Sequence, residues 1–290
     1  MQTNYETHGI LTPLQHGFRA GHSCESQLLL TTEDLVQNYD DKIQTDVIVL
    51  DFSKAFDVVP HCRLLHKLEH YGIRGKTLLW IQNFLTTRTQ KVLVDGSSSG
   101  TAHVKSGVPQ GTVLGPLLFL TYINYLPDCV SSQTRLFADD CLLYRPIKSE
   151  ADQVLLQEDL SKLQSWADIW CMNFNPSKCS VLRVARPRSP KLHFDYTLKG
   201  QTLERVPHIP YLGVELSESL EWESHVNKIA AKANSTLGFL RRNLRVCPLK
   251  LKETAYFAMV CSTSEYSSAV WDPYLEYDID KLSKIERAAA

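Results

Sequence analysis

The sequence predicts an α+β fold, a mixed body followed by a helical appendage. Helical and strand-like patterns alternate as far as about residue 217, and only helical patterns follow. Two apolar, strand-like runs also end in carboxylates, Val47-Ile48-Val49-Leu50-Asp51 and Phe137-Ala138-Asp139-Asp140. Burying such charges costs several kcal/mol each unless something positive compensates.

Each element has a local justification. Ser26 to Lys42 reads as a helix with Leu28, Leu29, Leu35 and Val36 as its apolar stripe. Thr45 to Phe52 reads as a strand ending at Asp51. Pro60 opens a helix bearing Leu64, Leu65, Leu68 and Tyr71, which Gly72 stops, and Lys76 to Leu85 forms another. Lys91 to Val94 and Ala102 to Lys105 pattern as paired strands joined through a Gly96 to Gly100 turn. Pro116 starts a helix running to about Leu126. Arg135 to Phe137 and Cys141 to Tyr144 flank Asp139-Asp140, which puts the acidic pair at a hairpin tip. Glu150 to Met172 is a long amphipathic helix with Val154, Leu155, Leu160, Leu163, Trp166 and Ile169 facing the core. Short strands are predicted at Ser180 to Val184, His193 to Leu198 and Ile209 to Val214. Helical patterns then cover Trp222 to Leu244, Leu249 to Val270 and Ile279 to Ala289. A loose boundary near residues 206 to 220 divides the chain into 1–215 and 216–290.

Composition narrows the function classes. The chain has 290 residues, 43% hydrophobic and 22% charged, an ordinary globular balance with room for a sizeable core. No apolar run approaches the roughly 18 residues of a membrane span. The first residues lack the basic-then-apolar signature of a secretory signal. The eight cysteines are scattered without a Cys-x-x-Cys pair, which argues against zinc or a disulfide framework and for a reducing, intracellular, non-secreted setting. Cys171 and Cys179 read as ordinary buried thiols. The net charge of −1 does not advertise a nucleic-acid partner. Between His225 and Lys252, however, seven basic residues (Lys228, Lys232, Arg241, Arg242, Arg245, Lys250 and Lys252) occur without an Asp or Glu. Such a field binds phosphates, although a solvated helix face has the same composition.

Three segments carry candidate chemistry. In Asp51-Phe52-Ser53-Lys54-Ala55-Phe56-Asp57, either aspartate alone could simply cap a turn. Asp139-Asp140 alone could be hairpin-turn residues. Taken together, Asp51, Asp139 and Asp140 converge if their strands are neighbours, and such a cage suits Mg²⁺, which keeps waters and uses substrate phosphates as further ligands. Paired metals about 4 Å apart are the usual device for in-line phosphoryl displacement. The third segment, Ser106-Gly107-Val108-Pro109-Gln110-Gly111-Thr112-Val113-Leu114-Gly115-Pro116, allows close backbone approach to a ligand and leads into a helix N-terminus that favours anions.

The order of these pieces, with Gly17-Phe18-Arg19, Asn175-Pro176-Ser177-Lys178 and Tyr211-Leu212-Gly213 added, resembles the reverse transcriptase domain of jockey-like, non-LTR retrotransposons. The resemblance runs from the Gln15-His16-Gly17-Phe18-Arg19 segment through Trp271-Asp272-Pro273. It implies a right-hand polymerase with incomplete fingers, a palm built on an antiparallel sheet within 1–215, and a helical, thumb-like region in 216–290. It implies RNA-directed DNA polymerisation on an RNA template from a DNA primer, with dNTP as substrate and two Mg²⁺ ions (Mn²⁺ being the alternative). Position by position, it implies Asp51 and Asp139 as principal metal ligands with Asp140 beside them, and Lys178 as the group that protonates the leaving pyrophosphate. Arg19 would grip the incoming triphosphate. Phe52 would join the substrate-binding set, and Phe56 would sit under the sugar and disfavour a 2′-hydroxyl. Gln110 and Gly111 would line the nucleotide and template pocket. Tyr211, Leu212 and Gly213 would form the hairpin that holds the primer end, and Lys228, Lys232, Arg241, Arg242 and Arg245 would track the nucleic-acid backbone. Departures from the family pattern are the late start of the fingers sequence, Cys261-Ser262-Thr263-Ser264 where an Arg-Pro is usual, and an end inside a helical pattern. They leave open a second reading, a catalytically inactive nucleic-acid-binding fragment of a decayed element.

Overall fold

The computed structural model describes residues 1–289. In chain order it contains α1 (Gln2–Thr7), α2 (Cys24–Asp40), β1 (Gln44–Leu50), α3 (Ala55–Val58), α4 (His61–His70), α5 (Gly75–Thr86), β2 (Thr89–Gln90), β3 (Leu93–Val94), β4 (Ser97–Ser98), β5 (Ala102–His103) and α6 (Leu114–Ile123). There follow β6 (Gln133–Phe137), β7 (Asp140–Ile147), α7 (Glu150–Ile169), β8 (Ser180–Val184), β9 (Thr197–Leu198), β10 (Gln201–Thr202), β11 (Glu204–Arg205), β12 (His208–Tyr211) and β13 (Val214–Ser217). The chain finishes with α8 (Glu223–Asn243), α9 (Leu249–Tyr256), α10 (Ser262–Ser264), α11 (Ser268–Trp271) and α12 (Glu276–Ala289), and a π-helical turn spans Phe257–Cys261.

Two compact units result. The first comprises residues 1–23, 46–181 and 192–205, and the second residues 24–45, 182–191 and 206–290. The α2 segment therefore groups with the late residues, an association that distance along the chain does not reveal.

A five-stranded sheet runs in the order β11-β8-β1-β7-β6. Its β6–β7 pair is antiparallel, whereas the short β11–β8 pair is parallel, so the expected antiparallel sheet has a parallel edge. The core packs Ile48, Leu50, Leu118, Phe119, Leu136, Leu143, Leu156, Leu160 and Leu163. Helix α7 starts at a capping box in which Ser149 and Asp152 satisfy each other's backbone N–H groups. Its core face is Leu156, Leu160, Leu163 and Ala167, not all of the stripe predicted from sequence: Val154, Leu155 and Ile169 lie on the exposed side. Asp159 on the same helix is buried, and its carboxylate accepts from the backbone N–H groups and hydroxyls of Ser131 and Ser132 and from Lys162. Burial alone would raise its pKa, but these donors outweigh it and hold the group at about 2.

Lys67 of α4 is buried too. Its ammonium position lies 3.8 Å from the Tyr125 ring centroid and 3.9 Å from that of Trp170, and it donates to the Tyr122 carbonyl. Burial pushes its pKa down to about 6.

The 89–103 arm departs from expectation. β3 pairs with β4 around a two-residue Asp95-Gly96 turn, while β5 pairs back to β2. Asp-Gly is a stronger hairpin signal than the longer Gly96 to Gly100 turn, because both central residues must take positive φ.

In the second unit, α8 packs on α12 and the π-helical turn through Ala230, Ala233, Leu237, Leu240, Val260 and Ile285. The single helix expected over Leu249 to Val270 is interrupted by that turn and by Ser267, which adopts a left-handed φ of 52°. In α2, Leu28 and Leu35 are buried while Leu29 and Val36 are half-exposed, so the stripe is narrower than predicted.

Candidate active site

Asp51 follows directly on β1, and the Asp139-Asp140 pair sits at the β6–β7 turn. Since β1 and β7 are neighbours in the sheet, the two remote acidic segments arrive at one place. The hairpin register pairs Phe137 with Asp140, leaving Ala138 and Asp139 as the two turn residues. The turn is tighter than the sequence suggests, and Asp140 is already the first residue of β7.

The two turn carboxylates are crowded. Burial raises the pKa of Asp139, and the charge of Asp51 raises it further. For Asp140 the surrounding protein mass is again the largest cause, then the charges of Asp139 and Asp51, and together they push it up to about 6. Asp140 is nevertheless open to solvent, so the crowding comes from one side only. Hard oxygen donors in mutual repulsion are what a divalent cation relieves, so the residues fit Mg²⁺. Among the described residues no three His, Cys, Asp or Glu side chains are gathered tightly enough to enclose an ion by themselves.

The Asn175-Lys178 motif reaches the site by backbone pairing. Ser53 N–H donates to the Asn173 carbonyl at 2.7 Å, and Asn175 N–H donates to the Asp51 carbonyl at 2.9 Å. A turn over Asn175 to Lys178 then brings the Lys178 ammonium to 3.7 Å from Asp51 Oδ2. Cys179 Sγ accepts from the Asp51 N–H at 3.5 Å. Cys179 is buried as expected, whereas Cys171 is exposed, contrary to the sequence reading, because it follows the end of α7 at a left-handed position.

The glycine-rich loop is pinned to the residues after Asp51. Gly107 N–H donates to the Val59 carbonyl and Val108 N–H to the Phe56 carbonyl, both at 2.8 Å. A Cβ on Gly107 would lie 2.7 Å from the Asp57 carbonyl oxygen, at a φ of +86°. Only glycine tolerates that approach and that φ. The Gly107 carbonyl in turn accepts from Arg88 at 2.7 Å. Gln110 Nε2 then donates to Asp57 Oδ1 at 3.0 Å, and Gly111 sits exposed beside it. Phe56 is half-buried, stacked on Phe119 with centroids 4.3 Å apart and edge-on to Phe18. Phe52 is 4% exposed, its ring stacked on Phe174 and edge-on to Trp166.

Arg19 is fully engaged. Its Nε and Nη2 donate to the Glu6 carboxylate at 3.2 and 2.7 Å, and Nη1 donates to the Thr12 and Gln15 carbonyls. Its side chain is 10% exposed. The expected triphosphate grip therefore requires Glu6 to be displaced. Nothing in the sequence pattern singles out Glu6.

The remaining candidates lie in the second unit. Leu212 and Gly213 form the two-residue turn between β12 and β13, and the Tyr266 hydroxyl donates to the Leu212 carbonyl at 3.0 Å. Tyr211 accepts from Gln27. Lys228, Lys232, Arg241, Arg242 and Arg245 are all exposed. Lys228 is partly neutralised by Glu215 at 3.4 Å, a pairing that the acid-free 225–252 stretch conceals.

The fold resembles that of telomerase from Candida albicans, at a TM-score of 0.56 and 11% identity over 99% of this chain and 55% of that one. The architecture is thus the right-hand polymerase fold, with the acidic turn in its sheet. The family model for reverse transcriptase (RNA-dependent DNA polymerase) matches residues 1–216, and the chain belongs to that family. It is 28% identical over 302 residues to a probable RNA-directed DNA polymerase from transposon BS of Drosophila melanogaster, covering 97% of this chain and 32% of the relative. It is 30% identical over 226 residues to the RNA-directed DNA polymerase from mobile element jockey of Drosophila melanogaster, covering 74% and 24%. These relatives bear out the jockey-like, non-LTR resemblance read from the motifs. The chain spans a third or less of their length.

Proposed function

We propose that this chain catalyses RNA-directed DNA synthesis for a non-LTR retrotransposon, joining a dNTP to the 3′-hydroxyl of a DNA primer on an RNA template. The observation that carries the reading is that Asp51, directly after β1, and Asp139-Asp140, at the β6–β7 turn, are brought together by neighbouring strands of a reverse transcriptase-family chain. We assign residues 1–215 to fingers and palm and 216–290 to a thumb-like region, in an intracellular setting.

Asp51, Asp139 and Asp140 would hold two Mg²⁺ ions. Bound there, the ions lower the pKa of the attacking hydroxyl and neutralise charge on the departing pyrophosphate. Lys178, kept beside Asp51 by the 173–175 pairing, is an exposed ammonium that can release a proton toward the pyrophosphate. Phe56, backed by Phe119, is a rigid surface against which a 2′-hydroxyl would clash. Gln110, oriented by Asp57, and Gly111 would line the nucleotide and template pocket. The Tyr211-Gly213 turn would hold the primer end, and the exposed cations of α8 with Arg245 would bind backbone phosphates without reading bases.

Primer extension on an RNA template with Mg²⁺ tests this assignment. Joint replacement Asp139→Ala, Asp140→Ala is expected to abolish incorporation, and equal incorporation by both proteins refutes it. One observation favours the alternative, a non-catalytic nucleic-acid-binding chain: Arg19 is held by Glu6. Steeply salt-dependent RNA binding with no incorporation by the unsubstituted chain would select that reading.

A further inference from the structure

Ala138 adopts a φ of +53° at the first position of a two-residue hairpin turn. Glycine, asparagine or aspartate normally occupies such a position, and alanine there is strained. The next two residues are carboxylates that repel each other and Asp51. Neither local preference nor charge favours this turn, so something outside it must hold it.

Gln15 makes that contact. It is 2% exposed. Its Oε1 accepts from the Ala138 N–H and from the Gly17 N–H, each at 2.8 Å, and its Nε2 donates to the Ala138 carbonyl at 3.2 Å. The amide orientation is dictated by this set, because a flipped amide would set an NH₂ against two N–H donors. Both polar groups of the strained residue thus end on one side chain. The backbone around Gln15 is itself fixed to β6: His16 N–H donates to the Leu136 carbonyl, and Leu136 N–H donates to the Leu14 carbonyl, both at 3.0 Å. A Cβ on Gly17 would lie 2.3 Å from the Ala138 nitrogen, so this glycine permits the approach.

We propose that Gln15 is a positioning residue for the acidic turn: its amide, anchored along β6, fixes the Ala138 peptide groups and thereby the orientation in which Asp139 and Asp140 present their carboxylates to a divalent cation. The inference rests on the polymerase reading for its catalytic meaning, but not for its structural content.

The test compares the unsubstituted chain with Gln15→Leu and Gln15→Glu. Mn²⁺ binding is followed by electron paramagnetic resonance without nucleic acid, amide exchange is followed over residues 136–140, and primer extension is run in parallel. Gln15→Leu removes every polar contact at near-constant volume. It is expected to weaken Mn²⁺ binding roughly tenfold or more, as loss of groups that orient metal ligands commonly does. It should also speed exchange at Ala138, and raise the divalent-ion concentration giving half-maximal extension while KM for dNTP stays nearly constant. A merely structural role would lower the active fraction without moving that half-saturating concentration. Gln15→Glu keeps both acceptor contacts and is expected to retain slow exchange at Ala138. If Gln15→Leu does not fold, Gln15→Asn takes its place, being polar but one methylene too short to reach. Wild-type Mn²⁺ affinity and exchange in a folded Leu or Asn variant would overturn the proposal, as would fast Ala138 exchange in folded Gln15→Glu. If the unsubstituted chain extends no primer, the polymerase reading fails, and the Mn²⁺ and exchange comparisons still decide the role of Gln15.

Discussion

The acidic turn of the first unit and the basic helix of the second present their charges in opposite ways. The turn residue Ala138 is buried, its backbone groups end on one glutamine, and Gly17 approaches within contact distance. Along α8 the four cations stand exposed on the surface, and among the described residues only Lys228 of the four has an acidic partner. Chemistry at reacting atoms needs ligands in fixed directions, and a phosphate backbone needs only enough positive charge nearby. Substitutions should therefore act all-or-none in the first region and by degrees in the second.

The largest effect is expected at the turn itself, where Asp139→Ala should cut incorporation by about 10³-fold or more, read by single-turnover extension, since metal-assisted steps carry several kcal/mol of the barrier. Gly17→Ala should come next. Its new Cβ would meet the Ala138 nitrogen at 2.3 Å, and overpacking of this kind costs about 1–3 kcal/mol, measurable by denaturant titration. If Gly17→Ala melts like the unsubstituted chain, the turn is less tightly held than the contrast requires.

A third effect separates fold from charge. Asp159 is held at about 2 in the native chain, below the ordinary value near 3.9 of an unfolded aspartate. Its contribution to stability is present above the unfolded value and is lost as pH falls through that value toward 2. Asp159→Asn should accordingly be less stable at neutral pH and show a flatter acid limb in melts between pH 5 and 2.

The smallest effects belong to α8. Arg241→Gln or Arg242→Gln should each lower the salt slope of RNA binding by about one. Lys228→Gln should change it less, because Glu215 already offsets that charge. A single α8 substitution that abolished binding would break the contrast.

Most of the architecture was legible in the sequence because periodicity and punctuation agreed. β1, α4, α5, α8 and the β6–β7 hairpin lie within a few residues of their predicted positions. Failures occurred where two local solutions competed. In α7 the apolar residues outnumber one face, and packing chose Leu156, Leu160 and Leu163 over Val154 and Leu155. In the 89–103 arm the Asp95-Gly96 turn won over a wider loop. The meeting of the Asp51 and Asp139-Asp140 segments was legible because both motifs sit at strand ends, and Lys178 comes beside Asp51 through the pairing of Asn175 N–H with the Asp51 carbonyl. Glu6 was not, because its partner Arg19 lies thirteen positions away with no periodic relation. Phe52 turns inward onto Phe174, an alternation that its motif does not reveal.

Lys67 carries one more consequence. Burial pushes its pKa down to about 6, and the amine is shut behind Tyr125 and Trp170. Acylating reagents dissolved in water can reach it only when that aromatic wall parts. The rate at which this one lysine is modified would therefore serve as a clock for breathing motions of the surrounding core.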